Sequence, residues 1–226
     1  MFKIAPEGWP FITVGTVVTA GLAAVALWCE GLTGQVAALL TLLMAGLTAF
    51  CFYFFRDPER QTPCRPDAFI SPADGRIIVV QEVMESRYFQ EPRLQISIFM
   101  SPANVHVNRA PNAGTVISTR HNTGKHFAAY REGASLRNEN SEMVLETSHG
   151  RILVRQVAGF LARRTVCRVK AGAVLQQGER FGIIKFSSRL DVYLPVASMP
   201  HVAVGERVWA GETILAAMLR EKGAKA

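Results

Sequence analysis

From Gly8 through Cys29 the chain runs for 22 residues without a charge, and from Gly31 through Phe55 for another 25. About 20 apolar residues suffice to cross a bilayer as a helix. Only Lys3, Glu7 and Glu30 carry charge before Arg56. Two such runs joined at Glu30–Gly31 predict a helical hairpin over 1–55, with both ends on the same side. Lys3 precedes the first run, and Arg56 and Arg60 follow the second, which places that side in the cytoplasm by the positive-inside rule. A cleaved signal peptide fits poorly, because the leading segment has one Lys against a Glu and a second apolar run follows at once. Gly15, Gly21, Gly31, Gly34 and Gly46, with Pro10, count against the first run as a long helix. A hairpin dipping into one leaflet and a soluble core hairpin therefore stay open beside the spanning reading.

Residues 56–226 hold 24 basic and 16 acidic residues, a net +8. A basic domain beside such a hairpin is attracted to an anionic membrane surface, by about 1 kcal/mol per nearby Lys or Arg. Nucleic acid is the poorer partner: no basic run exceeds Arg163–Arg164, and no aromatic residues interleave a basic strip. With 49% hydrophobic residues the chain is not disordered. Cys29, Cys51, Cys64 and Cys167 form no C-x-x-C, so the expectations are no metal centre and a reducing compartment.

The remainder reads as short strands. Alternation and β-branched content mark 76–83, 94–99, 143–147, 152–157, 165–169, 182–186 and 190–194, with 207–209 and 213–219 closing the chain. Helical periodicity is weak except around 125–133. The expected fold class is mainly β, α+β at most, for the domain over 56–226, behind the helical hairpin.

Three places could carry chemistry. Asp74 lies in Ser71-Pro72-Ala73-Asp74-Gly75, where Asp-Gly also reads simply as a turn. His106 lies in an alternating stretch, Ser101 to Arg109, where a structural histidine is the plainer reading. Ser187 and Ser188 interrupt two β-like runs, as a bulge would, and no G-x-S-x-G is present. Together the three supply an Asp, a His and a Ser, the set that activates a hydroxyl.

Taken in order, several segments resemble the phosphatidylserine decarboxylase family in its short bacterial form. They are Phe54-Phe55-Arg56-Asp57-Pro58-Glu59-Arg60, Pro72-Ala73-Asp74-Gly75, ISIFMSPANVHVNRAP over 96–111 with Gly114, and GKHFAAYREGASLRNEN over 124–140. QVAGFLARRTVC over 156–167 and RFGIIKFSSRLDVYLP over 180–195 complete the set. The resemblance implies a self-processing proenzyme that breaks between Ser187 and Ser188. Ser188 becomes a covalent pyruvoyl group, and the products are a β chain ending at 187 and an α chain of 188–226. Asp74 and His106 take the activating roles. The pyruvoyl ketone then forms a Schiff base with phosphatidylserine and releases carbon dioxide, giving phosphatidylethanolamine. His126, Asn138 and Glu139 are the implied substrate-binding candidates. A homodimer and a place on the cytoplasmic face of the bacterial inner membrane follow by the same analogy.

Two positions depart from the family pattern. Ser187 stands where Gly usually precedes the modified serine, which puts the cleavage rate in question. Ala103 stands where longer relatives carry a further histidine. Three alternatives use the same residues differently: decarboxylation of a related serine lipid such as archaetidylserine, a membrane-anchored Ser-His-Asp hydrolase, and a non-catalytic lipid-binding β module.

Overall fold

In a computed structural model the described residues are 3–124, 138–159, 164–185 and 188–219. The chain divides into two compact units, Met1–Glu59 and Arg60–Ala226.

The first unit is a helical hairpin. A single 3-10 turn, Pro6–Gly8, leads into α1 (Trp9–Trp28), and α2 (Gly31–Phe54) returns. The expected weakness of the first run is not found: α1 is unbroken over 20 residues. Pro10 falls in its first turn, where a missing N–H costs nothing. Gly8 and Gly15 lie where a Cβ would meet Phe55 and Thr48 at 2.5 Å, so the small residues set the helix spacing. The hairpin is clipped at its open end. Ala5 N–H donates to the Phe55 carbonyl at 2.8 Å, Asp57 N–H donates to the Lys3 carbonyl at 2.8 Å, and Phe11 stacks on Phe55.

Both helices are long and apolar enough to cross a membrane. Trp28 is 90% exposed and Leu27 85%, and Leu32, Leu42 and Leu43 are similarly bare. Thr16, Thr19, Thr41 and Thr48 turn their hydroxyls back to the carbonyl four residues earlier, which satisfies those donors in an apolar medium. Such a surface suits association with a membrane.

The second unit is nearly all antiparallel strand. In chain order these are β1 (Ala68–Ile70), β2 (Gly75–Glu85), β3 (Glu91–Met100), β4 (Val107–Arg109), β5 (Gly114–Asn122), β6 (Asn140–Thr147) and β7 (Gly150–Ala158). They continue as β8 (Arg164–Cys167), β9 (Val174–Leu175), β10 (Arg180–Lys185), β11 (Ser188–Pro195), β12 (Ser198–Pro200), β13 (Arg207–Val208) and β14 (Ile214–Met218). Eight of them form one sheet, ordered β13-β2-β3-β11-β7-β6-β5-β9, beside two three-stranded sheets, β4-β10-β8 and β1-β14-β12. The protein is therefore mainly β with an apolar helical pair, as its composition and alternation indicate. β5 is not legible in the sequence because Thr, Ser, Arg and His occupy most of its positions. The weak helical signal at 125–133 lies outside the described residues.

The core face of the large sheet gathers Ile96, Ile98, Ile152, Val154, Leu190, Val192 and Leu194. The opposite face is buried too, and it is charged. Ser97, Asp191, Arg155 and Glu142 are register partners in one row across β3, β11, β7 and β6, all at most 2% exposed. Arg155 donates to Glu142 at 2.8 Å and to the Tyr193 hydroxyl at 2.8 Å, while Arg189 donates to Asp191 and to Ser97. Alternation along β11 shows two faces. One lies on the main core, and on the other Val83, Tyr88 and Phe89 pack against Val144, Leu153 and Tyr193.

Candidate active site

Asp74 closes the turn between β1 and β2. Gly75 follows because β2 begins hard against β3: a Cβ there would lie 2.2 Å from the Phe99 carbonyl oxygen. The turn is tied to β4 by Arg109 N–H, which donates to the Pro72 carbonyl at 2.9 Å. The Asp74 carboxylate accepts Ala210 N–H at 2.8 Å and Arg60 Nη2 at 2.8 and 3.1 Å. Arg60 Nη1 continues to Glu212 at 3.1 Å. Burial pushes the Asp74 carboxyl above its ordinary range, prevailing over Ala210 N–H, the Arg60 charge and a hydrogen bond from Val105 N–H, which all act the other way. Val105 immediately precedes His106.

His106 is fully buried. Its Nδ1 lies 2.9 Å from the Asn104 carbonyl oxygen, which can only accept, so Nδ1 carries the proton and Nε2 is the basic nitrogen. The tautomer is thus set by a backbone carbonyl. Among the described residues, Asp74 hydrogen bonds to Arg60, Ala210 and Val105, and not to the His106 ring.

Ser188 opens β11 with no exposed surface, paired to Met100 of β3 on one side and Ala158 of β7 on the other. Its hydroxyl donates to Met100 Sδ at 3.3 Å. A thioether is a weak acceptor, so that hydroxyl is cheaply redirected.

Topology ties the segments that carry Ser188 and His106 to each other. Ser188 sits opposite Met100, from which six residues lead to His106. The His106 carbonyl accepts Ile184 N–H at 3.3 Å, and from Ile184 four residues lead to Ser188. The two segments are therefore pinned together at both ends. The sheet β4-β10-β8 also stacks on the core face of the large sheet, where Gln156 Nε2 donates to Asn108 Oδ1 at 2.8 Å. His106 lies two residues before Asn108, just ahead of β4, and Ala158 two residues after Gln156 along β7. Side chains repeat every second residue. His106 is thus carried toward the Ala158–Ser188 pair.

Ser187 and His126 lie outside the described residues. Asn138 is 1% exposed and its amide donates to the Ala158 carbonyl at 2.8 Å, so it clamps the strand that holds Ser188. Glu139 accepts Ala158 N–H on its own carbonyl at 2.9 Å. Its carboxylate reaches Thr165 N–H at 3.4 Å and His121 Nε2 at 3.7 Å. The sequence alone does not single out Arg60, Asn104, Asn108 or Gln156 as functional. Their only sign is their presence inside the family-like segments. Among the described residues no group of three or more His, Cys, Asp or Glu could hold a metal ion.

Comparison with known proteins matches residues 47–216 to the profile of the phosphatidylserine decarboxylase family. A phosphatidylserine decarboxylase proenzyme of Syntrophotalea carbinolica is 45% identical over 213 residues, covering 94% of this chain and 95% of that protein. Proteins of the same description from Desulfotalea psychrophila and Nitratidesulfovibrio vulgaris are 45% and 44% identical, over 94% and 95% of this chain and 95% and 94% of their own lengths.

Proposed function

The chain belongs to the phosphatidylserine decarboxylase family, and we propose that it cuts itself at Ser187–Ser188 and then converts phosphatidylserine to phosphatidylethanolamine. The observation that carries this reading is the seat of Ser188: fully buried, first in its strand, gripped by β3 and β7, with the His106 segment tied to it through Met100 and Ile184. A break just before residue 188 leaves the new terminus held on both sides by the sheet.

The self-cleavage can be derived from the residues. Ser188 Oγ bonds to the Ser187 carbonyl carbon and its proton passes to His106 Nε2. The peptide C–N bond breaks and the nitrogen takes up a proton, which leaves an ester. Loss of the residue 188 α-proton then expels the Ser187 carboxylate and leaves an alkene at 188. Water adds to the tautomeric imine, ammonia departs, and a ketone remains on residue 188. The surroundings suit such a group, since the strand partners Met100 and Ala158 carry no amine or hydroxyl that would add to a ketone. The pyruvoyl group, once present, supplies an electrophile for the substrate amine and a sink for the electrons freed as carbon dioxide leaves.

The chain's own residues do the rest. The Asn104 carbonyl keeps the His106 proton on Nδ1, so Nε2 is free of it and ready to accept. Asp74 acts as a positioning residue: with Arg60 behind it, it holds Val105 and thereby the approach of His106. The apolar hairpin ties the enzyme to its lipid substrate, and the charges at Lys3, Arg56 and Arg60 put its open end on the cytoplasmic side of the inner membrane.

Intact mass of the purified protein tests the reading. The expected result is a 187-residue chain and a 39-residue chain, the latter lighter by one ammonia, together with carbon dioxide release from phosphatidylserine in detergent micelles. A single uncut mass with no release would overturn it.

A further inference from the structure

Two buried amides meet between the large sheet and β4-β10-β8. Asn108 of β4 is fully buried and Gln156 of β7 is 1% exposed. Gln156 Nε2 donates to Asn108 Oδ1 at 2.8 Å and to the Val166 carbonyl at 3.3 Å. Gly182 of β10 makes room for them: a Cβ there would lie 2.8 Å from Gln156 Nε2.

These bonds fix which end of each amide is oxygen. Turning Gln156 over would set its oxygen against the Val166 carbonyl, and turning Asn108 over would set donor against donor. One donor and one acceptor are then left over. Among the described residues, neither Asn108 Nδ2 nor Gln156 Oε1 has a hydrogen-bond partner, although both atoms are buried. Buried amide atoms are nearly always partnered, and an unmet one is costly. A tie between two sheets does not require that cost, because two apolar side chains of the same shape would serve. A single water, which both accepts and donates, satisfies such a pair.

The place of the pair indicates the task of that water. Side chains repeat every second residue, so Gln156 and Ala158 share one face of β7. Ala158 is the register partner of Ser188, and Gln156 that of Leu190. Gln156 and Ser188 are thus diagonal neighbours, about 7–8 Å apart, a gap within reach of long side chains. Ser188 turns its hydroxyl to Met100 of the core on this same face.

We propose that Asn108 and Gln156 hold a water and aim it at residue 188, where it hydrolyses the imine that self-cleavage leaves. This deepens the decarboxylase reading and rests on it. Asn108 Nδ2 donates to one lone pair of the water, and one water O–H donates to Gln156 Oε1. The second lone pair forms the bond to the imine carbon. The C=N π pair moves to the nitrogen, which takes up a proton. The C–N bond then breaks and ammonia leaves. The water oxygen stays as the ketone, and both of its protons end on the ammonia. The two amides touch the water and not the reacting carbon, so they are positioning residues.

Borohydride trapping of the newly cut short chain tests this. A ketone at residue 188 is reduced to a lactyl group, which blocks sequencing from that end. An imine is reduced to alanine, which can be sequenced. Asn108→Leu and Gln156→Met keep the size of each side chain and remove its orphan atom. Both variants should cut within about twofold of the wild-type rate, while ketone formation on the cut chain slows by about tenfold or more and alanine is trapped. Ketone formation at the wild-type rate in both variants would overturn the proposal. Equal slowing of the cut and of ketone formation would overturn it too, since a merely structural pair would act on both steps. Ser188→Ala protein, which keeps both amides and needs no processing, supplies a second measurement should the two variants fail to fold. Its crystal structure should show a water about 2.7–3.2 Å from both Asn108 Nδ2 and Gln156 Oε1, and no water there would overturn the proposal. Wild type that stays uncut would instead overturn the decarboxylase reading, a failure seen before any trapping.

Discussion

Asp74 and Glu142 are both buried carboxylates facing an arginine, yet their surroundings move them in opposite directions. Burial raises each. At Asp74 it prevails over Ala210 N–H, the charge of Arg60 and Val105 N–H, and the carboxyl sits above its ordinary range. At Glu142 burial is outweighed by the Arg155 charge and by hydrogen bonds from Tyr88, Arg155 and Asn122, so its acidity is increased. Arg87 adds a further contact to Glu142 at 3.1 Å. The charged row of the central sheet is therefore a well-compensated network that holds the strands in register. The turn at Asp74 is under-compensated, as residues at reacting centres often are. One region is built for stability, and in the other burial works against the charged carboxylate.

The sharpest break between the two regions comes from Ser188→Ala. It should leave a folded, uncut chain with no decarboxylation, measured by intact mass and carbon dioxide release. A processed, active Ser188→Ala would end the mechanism. Next, His106→Ala should slow self-cleavage by about 10²- to 10⁴-fold, the usual worth of a positioned general base. The readout is the rate of fragment appearance after synthesis, and an unchanged rate would reduce His106 to a structural residue.

Glu142→Gln acts on the other region. It leaves Arg155 short of its partner, and removal of one member of a buried pair costs about 3–5 kcal/mol in unfolding free energy. Any variant protein that folds should still cut itself at the normal rate. Denaturant titration and the cleavage assay separate the two effects.

A smaller effect is the pH dependence of the two carboxylates. Glu142, with its folded pKa depressed, contributes stability that is present above its unfolded pKa and lost as pH falls through the folded value. The deficit of Glu142→Gln relative to wild type should therefore shrink in acid. Asp74 behaves oppositely. Its raised folded pKa makes its contribution present below the unfolded pKa and lost as pH rises through the folded value. Asp74→Asn should thus be relatively more stable, compared with wild type, at neutral pH than in acid. Equal pH responses in the two variants would erase the distinction. The smallest effect is spectroscopic. Burial, with the hydrogen bond to Glu142 and its charge, pushes the Tyr88 phenol up to about 12, so Tyr88 should stay un-ionised when exposed phenols titrate near pH 10.

The two regions also differ in how far their residues can be read from the chain alone. Asp74, His106 and Ser188 stand out because a turn, a histidine after an apolar strand and a serine pair interrupt otherwise regular alternation. Their partners do not. Arg60 follows a Pro-Glu pair like any surface arginine, and Asn104 contributes only its backbone carbonyl. Arg155 sits in an alternating strand where a solvent-facing position would look the same.

The sequence by itself determined the apolar hairpin, the mainly β character of the domain behind it and the three interruptions at Asp74, His106 and Ser188. These are local properties: run length, a period of two, and residues that stop a strand. The tertiary structure alone decided which strands became neighbours. It made Asn104 set the His106 tautomer, put Arg60 behind Asp74, and buried both faces of β11. The physical reason is that alternation says which face a side chain takes. It does not say which strand lies beside it, and in antiparallel sheets the hydrogen bonds and charges that complete a site come from partners distant in the chain.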